Sequence, residues 1–211
     1  MPDIELAKKG LEDVDVLMKE FGAKYYIDSG TLLGAYRDKN INPIDHDIDV
    51  RVMPGQIKED RMPDLVKRLW EIGYRVIASN WGTRAEVICV NMQKLMLDLK
   101  FAFQDDKFLW VYVWPQAFSP EEPRVHVYPR KFFRHMTEID ILGTKYPCPS
   151  PIEEYIVHHY GQDWREFKVR PSQAQETDLT WDYMKSPPCS MSVTELMKLR
   201  QNGSFPEPAT K

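Results

Sequence analysis

The chain has 211 residues, 43% of them apolar and 28% charged, with a formal net charge of −4. That length suits one domain of ~100–200 residues with a short appendage, and a chain of this size buries ~70% of its unfolded surface. Without a basic excess there is no electrostatic footprint for a nucleic-acid groove, so polynucleotide partners and template-using polymerases are excluded at the outset.

In chain order, Ile4, Ala7, Leu11, Val14, Leu17 and Phe21 recur at spacings of three and four, which predicts a helix stopped by Gly22. Lys24–Asp28 reads as a short strand. Ser29-Gly30-Thr31 then opens a short apolar helix, with Ser29 or Thr31 near its start. Asn40–Pro43 reads as a loop and Ile44–Val52 as a strand. A helix over Met62–Ile72, ended by Gly73, precedes strand-like runs at Tyr74–Ala78, Ala85–Val90, Leu95–Phe103, Phe108–Trp114 and Val125–Tyr128. Helices are expected at Pro151–Tyr160 and Val193–Arg200, with proline-punctuated irregular chain at 186–189 and from Gly203. The expected class is α+β, a mixed or antiparallel sheet flanked by helices, with residues 1–185 as one domain and 186–211 as an irregular or helical tail.

Cys89, Cys148 and Cys189 are far apart, without CxxC spacing, so neither a zinc site nor a disulfide framework is indicated and reduced structural thiols are expected. The N-terminus has no basic-then-apolar leader, and nowhere does an apolar run approach the ~20 residues of a membrane span. The expectation is a soluble cytoplasmic chain, or a soluble catalytic piece of a Golgi-anchored parent.

The sharpest feature is Asp45-His46-Asp47-Ile48-Asp49-Val50. On a strand, residues two apart share a face, so three carboxylates converge while Ile48 and Val50 point to the core. Adjacent ionised carboxylates repel, and at least one pKa must rise unless a cation intervenes. Mg²⁺ or Mn²⁺, bound through a few carboxylates and substrate phosphate, relieves that conflict. The bland alternative is a solvated edge strand, and short motifs of this kind recur by chance. Upstream, Ser29-Gly30 follows a strand and opens a helix, where small residues let backbone N–H groups approach a phosphate. A plain helix cap is the alternative there.

The run Ser29-Gly30-Thr31-Leu32-Leu33-Gly34-Ala35-Tyr36-Arg37, followed by Pro43-Ile44-Asp45-His46-Asp47-Ile48-Asp49-Val50, resembles the signature of the LicD/fukutin family, approximately GTLLGAxRxxxxxPWDxDxDV. Pro151, Tyr155 and Tyr160-Gly161-Gln162-Asp163-Trp164 resemble its C-terminal block, so the resemblance covers roughly residues 20–170. Ile44 departs from the usual Trp, a change expected to alter packing, and His46 sits at a variable position. The resemblance implies a fold similar to DNA polymerase β-like nucleotidyltransferases. It also implies transfer of a phosphorylated group, such as phosphocholine or ribitol phosphate, from a CDP-linked donor to a carbohydrate acceptor.

On that mapping Asp45, Asp47 and Asp49 are the expected metal ligands, Asp47 and Asp49 the central catalytic pair, and Ser29, Gly30, Thr31 and Arg37 the substrate-binding set. Asp98, a lone acid in the apolar run Leu95–Phe101, is the expected third carboxylate or general base, because a charge there is costly unless paired or liganded. Its alternatives are an exposed edge position or a salt bridge to Lys100 or an arginine. Arg37 suits a phosphate, or equally a bridge to one of the strand aspartates. His158 and His159, adjacent on a helix, diverge too much to share an ion, so one is expected in the core and the other exposed. Trp81, Trp110, Trp114 and Trp181 are packing residues, or platforms for a cytosine or choline group. Two rival functions stand: a glycosyltransferase using a metal-binding Asp-x-Asp, and a non-catalytic nucleotide-binding protein of the same fold.

Overall fold

The computed structural model describes residues 3–42, 45, 47–80, 86–112, 124–166 and 189–202. The expectations for Ile44, His46, Trp81, Trp114, Trp181, residues 186–188 and the tail from Gly203 fall outside these.

Helix α1 (Ile4–Glu20) starts where the Asp3 side chain accepts the Leu6 amide proton; it buries Ala7, Leu11, Val14 and Leu17 of the expected face and adds Met18, while Ile4 in the first turn is exposed and Phe21 half-buried. Gly22 takes a φ of 63° just beyond it, a conformation that favours glycine. Strand β1 (Tyr25–Ile27) leads directly into α2 (Ser29–Arg37), and β2 (Asp47–Val52) returns antiparallel to β1. A 3-10 turn (Glu59–Arg61) precedes α3 (Met62–Glu71). Strands β3 (Tyr74–Asn80), β4 (Glu86–Asn91) and β5 (Met96–Phe101) complete a five-stranded sheet of order β1-β2-β5-β4-β3. It is mixed: β2 and β5 run parallel, and the other pairs are antiparallel.

The run expected as one strand over Leu95–Phe103 is divided. The Ala102 amide bonds to the Val52 carbonyl at 2.9 Å, closing the first sheet, and β6 (Phe103–Gln104) begins a second. That second sheet has the order β11-β8-β7-β6, with β7 (Phe108–Tyr112), β8 (Arg124–Pro129) and β11 (Ser190–Ser192). Between β8 and β11 come a short α4 (Lys131–Arg134), a hairpin of β9 (Thr137–Ile141) and β10 (Thr144–Cys148), and α5 (Ile152–Tyr160). Helix α6 (Val193–Asn202) follows β11 and packs Leu196 and Leu199 against Phe108, Val125 and Val127. Residues 189–202 therefore share a sheet and a core with the middle of the chain.

Strand β2 lies between two partners rather than at an edge, and its two faces differ. Ile48, Val50 and Val52 are fully buried, with Ile48 beneath α1 at Gly10. The opposite face carries Asp47, Asp49 and Arg51 toward α2 and α5. Among the described residues, no helix is long and apolar enough to cross a membrane.

Candidate active site

The site is built where β1 turns into α2 over the start of β2. Asp28 is extended and Ser29, the first helical residue, has a φ of 45°, a left-handed conformation that a non-glycine residue holds only when its surroundings enforce it. The surroundings are specific. The Thr31 hydroxyl accepts the Asp49 amide proton at 2.9 Å, the Gly30 amide donates to Asp49 Oδ2 at 3.1 Å, and the Asp28 amide donates to the Asp49 carbonyl at 3.1 Å. The turn and the acidic strand are thus stitched together at Asp49. A side chain at position 30 would put its Cβ 1.6 Å from Asp45 Oδ2, so glycine is what lets the Asp45 carboxylate lie over the turn. At Gly34 a Cβ would come within 2.4 Å of the Asn42 amide nitrogen, so the second glycine of the motif admits the loop that carries the chain back to Asp45.

Asp45 precedes β2 instead of lying on it, because the strand begins at Asp47. The loop nevertheless brings it back: one carboxylate oxygen each from Asp45, Asp47 and Asp49 falls within 4.8 Å of the others. Hard oxygen donors at this density are the ligand type that Mg²⁺ and Mn²⁺ take. The electrostatics agree. Burial, then contact with the Asp45 carboxyl and repulsion from Asp98, push Asp47 up to about 7. Burial, then repulsion from Asp47, push Asp49 up to about 7 although Arg51 opposes the rise. The three residues therefore fit a divalent cation, whose charge would replace the missing compensation.

Beside this acidic group the protein supplies its own cations. In the parallel register Asp49 sits opposite Asp98, and Arg51 opposite Lys100; in the antiparallel one Lys100 sits opposite Glu86. A carboxylate row thus adjoins a row of Arg51, Lys100 and Glu86 on the same face. The buried Arg51 guanidinium reaches Asp28 at 3.0 Å, Ser29 Oγ at 2.9 Å, Asp49 at 3.2 Å and Asp98 at 3.7 Å. Lys100 reaches Asp98 at 2.7 Å and Glu86 at 3.1 Å. Asp28, wholly enclosed, also accepts the Tyr155 hydroxyl proton at 2.7 Å. Burial alone would raise its pKa, but Arg51 and then the His159 and Tyr155 contacts outweigh that and hold it low. For Asp98, burial is likewise outweighed by Lys100 and Arg51, and its pKa is lowered.

Ser29, Gly30, Thr31, Asp45, Asp47, Asp49 and Asp98 therefore meet in one place. Asp98 takes the salt-bridged alternative and is buried, with its carboxylate also against the Glu86 carboxyl, whose pKa is raised first by burial. Arg37 stands apart. It ends α2, about 12 Å along the axis from Ser29 at 1.5 Å per residue, and its guanidinium pairs with Asp38 through two contacts of 2.8 Å, not with a strand aspartate. His159 is buried, and His158 is half-buried against the Val127 carbonyl at 2.8 Å instead of exposed. Trp110 stacks on Phe103 and under Arg200 in the second sheet. Trp164 packs with Leu33 and Ile156 where α5 meets α2. Asp28, Arg51, Glu86, Lys100 and Tyr155 were not singled out as site residues from sequence. Three of them have a signal in the sequence: Arg51 continues the two-residue period of Asp47 and Asp49, Lys100 is the bridge partner offered for Asp98, and Tyr155 belongs to the C-terminal motif.

A family model described as LicD/FKTN/FKRP, nucleotidyltransferase domain, matches residues 22–151, which include the whole turn, the acidic strand and Asp98. The chain belongs to this family. Among curated LicD-family relatives, the mouse ribitol-5-phosphate transferase FKTN is 26% identical over 185 residues, covering 86% of this chain and 36% of its own length. An uncharacterized protein of Rickettsia prowazekii (strain Madrid E) is 27% identical, with 69% of this chain and 52% of its own covered. The chain thus spans about a third to a half of the length of these relatives. Among solved structures, the lincosamide antibiotic adenylyltransferase LnuA aligns with a TM-score of 0.43 at 16% identity, covering 82% of this chain and 93% of its own. The antibiotic-resistance factor ANT(2'')-Ia aligns at 0.45 and 17%, covering 70% and 67%.

Proposed function

We propose that this LicD-family chain is a metal-dependent transferase that moves a phosphorylated group, such as ribitol phosphate or phosphocholine, from a CDP-linked donor to a carbohydrate hydroxyl. The observation that carries this reading is the convergence of the Asp45, Asp47 and Asp49 oxygens within 4.8 Å over Gly30. The name of the mouse relative, a ribitol-5-phosphate transferase, supports the class of group transferred.

A Mg²⁺ or Mn²⁺ ion held by Asp45, Asp47 and Asp49 would supply the positive charge that a donor diphosphate needs as its bridging oxygen becomes a leaving group. The chain's own residues do the rest. Ser29 Oγ accepts from Arg51, which leaves its proton free to point at a non-bridging phosphate oxygen. The Gly30 amide and the Thr31 hydroxyl fix Asp49 so that its carboxylate does not swing away. The acceptor hydroxyl oxygen attacks the phosphorus that bears the head group, the bond from that phosphorus to the CMP oxygen breaks, and the hydroxyl proton passes to a carboxylate. Asp98 is the assigned acceptor: it lies beside Asp49 and against the Glu86 carboxyl, whose pKa burial raises, and Lys100 and Arg51 keep it ionised. Arg37, paired with Asp38 at the far end of α2, takes no phosphate contact in this scheme.

The deciding experiment is mass spectrometry of products from CDP-ribitol, CDP-glycerol and CDP-choline with crude glycan acceptors. Release of CMP together with a phosphorylated acceptor is expected. Turnover of UDP-sugars with UDP release would establish the glycosyltransferase instead, and metal-dependent binding without turnover of any donor would make the chain a binding protein.

A further inference from the structure

A second set of metal-ligating side chains meets on the other side of the Asp28–Tyr155 pair. His126 of β8, His159 of α5 and Cys189, just ahead of β11, bring one ring nitrogen each and the thiol sulfur within 4.8 Å of one another. Cys189 and His159 are 0% and 4% exposed. His126 Nε2 is enclosed and has no hydrogen-bond partner, which leaves a buried polar atom at the cost of its desolvation. The Tyr128 hydroxyl lies 2.9 Å from His159 Nδ1, so that ring is already oriented by a polar partner, as ligating histidines are, and Nε2 is its second nitrogen. The His126 and His159 rings stand edge to face at 5.0 Å.

We propose that His126, His159 and Cys189 form a zinc site, completed by water, that fastens the C-terminal strand and helix to α5 and β8. Two imidazoles and a thiolate are a borderline-soft set that selects Zn²⁺ over the hard cations suited to the aspartates. Ligand atoms around a tetrahedral zinc, with Zn–N near 2.0 Å and Zn–S near 2.3 Å, lie roughly 3.3–3.8 Å apart. The observed spread, within 4.8 Å, must tighten by about 1 Å to reach that. Around His159, Asp28 attracts a cation while Arg51 and Lys100 repel it, and the buried Cys189 thiol, which donates to the His159 carbonyl at 3.8 Å, would give up its proton on binding the ion. The site also backs the carboxylate centre. Tyr128 stacks on Tyr155 at 4.9 Å, and Tyr155 donates to Asp28.

The test uses the full chain, expressed with zinc, purified with its thiols reduced and dialysed without chelator. Elemental analysis is expected to find about one zinc per chain at this class of affinity. Exchange for Co²⁺ is expected to give a thiolate-to-cobalt charge-transfer band with intense tetrahedral ligand-field absorption. Cys189→Ser should remove the band, whereas Cys89→Ser, Cys148→Ser and the double variant Asp47→Asn/Asp49→Asn should keep it, which separates this site from the carboxylate centre. Substoichiometric zinc with no charge-transfer band in the wild-type chain overturns the proposal, and this reading needs no variant to fold. A band that survives in folded Cys189→Ser overturns it equally.

Discussion

Two groups of carboxylates share one end of the five-stranded sheet, and they are treated in opposite ways. Asp28 and Asp98 are buried with Arg51 and Lys100 against them, and both are held below the ordinary carboxylate range once burial has been outweighed. Asp47 and Asp49, one strand position away, are pushed up to about 7 by burial and then by neighbouring carboxylates, Asp45 on the first and Asp47 on the second. Arg51 touches Asp49 at 3.2 Å but is shared among three aspartates and cannot neutralise them all. The difference separates carboxylates that the protein's own cations keep ionised from those that wait for a metal ion. Where the fold needs a carboxylate fixed, it builds a cation beside it; where a carboxylate is to meet an ion from solution, the place for that charge is left to the ligand.

Substitutions on the two sides should therefore fail differently. Asp49→Asn or Asp47→Asn is expected to lower donor turnover by about 10³-fold or more, since the charge that offsets the leaving diphosphate is lost. The thermal midpoint should hold or rise, because a repelling charge has gone. A stopped assay of CMP release with a melting curve checks both, and unchanged turnover in Asp49→Asn would remove it from the catalytic centre. Arg51→Met should do the reverse to the fold. It leaves Asp28 buried and short of its cation, a defect worth about 3–5 kcal/mol, measurable by urea unfolding. Adding Asp28→Asn to Arg51→Met should recover part of that loss, as expected for partners in one network.

Much of the acidic site was legible because its period is local. Alternate aspartates and a small-residue turn announce a face and a bend, and both are where the sequence put them. The cations were harder to read. Arg51 continues the period by one step and Lys100 stands two residues from Asp98, but Glu86, and the meeting of Lys100 with Arg51, come only through the pairing of β2 with β5 and of β5 with β4. Register between strands almost fifty residues apart has no signature along the chain. The hairpin Thr137–Cys148 escaped for another reason. Its two-residue turn puts Leu142 at φ 55° and Gly143 at φ 85°, and leucine in the first left-handed position hides a turn that asparagine would advertise. Cys189 likewise has no partner nearby in sequence. His126 and His159 reach it across long separations, which spacing rules for zinc ligands do not cover.

Gly30→Ala sharpens the comparison at the seam. The added Cβ would meet Asp45 Oδ2 at 1.6 Å, and that carboxylate is a side-chain end able to swing aside. The helix should form as before while Asp45 is displaced, so affinity for Mg²⁺ or Mn²⁺ should fall about 10–100-fold. Titration calorimetry on the folded variant reads this directly. Wild-type affinity would mean that Asp45 is not a ligand.

The smallest effect expected is on stability against pH. Asp47 and Asp49 have folded pKa values raised to about 7, above the ~3.9 of an unfolded aspartate. A group raised in this way stabilises fully below its unfolded pKa, and that contribution disappears as pH rises through the folded value. His126, His158 and His159 are depressed by burial and act oppositely, but only below about pH 6.5, where the unfolded imidazoles gain protons. The buried thiols, raised in the fold, enter only near pH 8.5 and above, where their unfolded forms ionise. Glu86 is raised too, by burial first, so between about pH 6.5 and 8 raised carboxyls dominate and the double variant isolates the share of Asp47 and Asp49. The metal-free midpoint should fall by a few degrees across that window, saturating Mg²⁺ should reduce the fall because the ion binds the ionised form, and Asp47→Asn/Asp49→Asn should fall less steeply, by the same amount with or without metal. A decline in the double variant as steep as in the wild type would place the titrating groups elsewhere, and with them the charge that the metal is meant to meet.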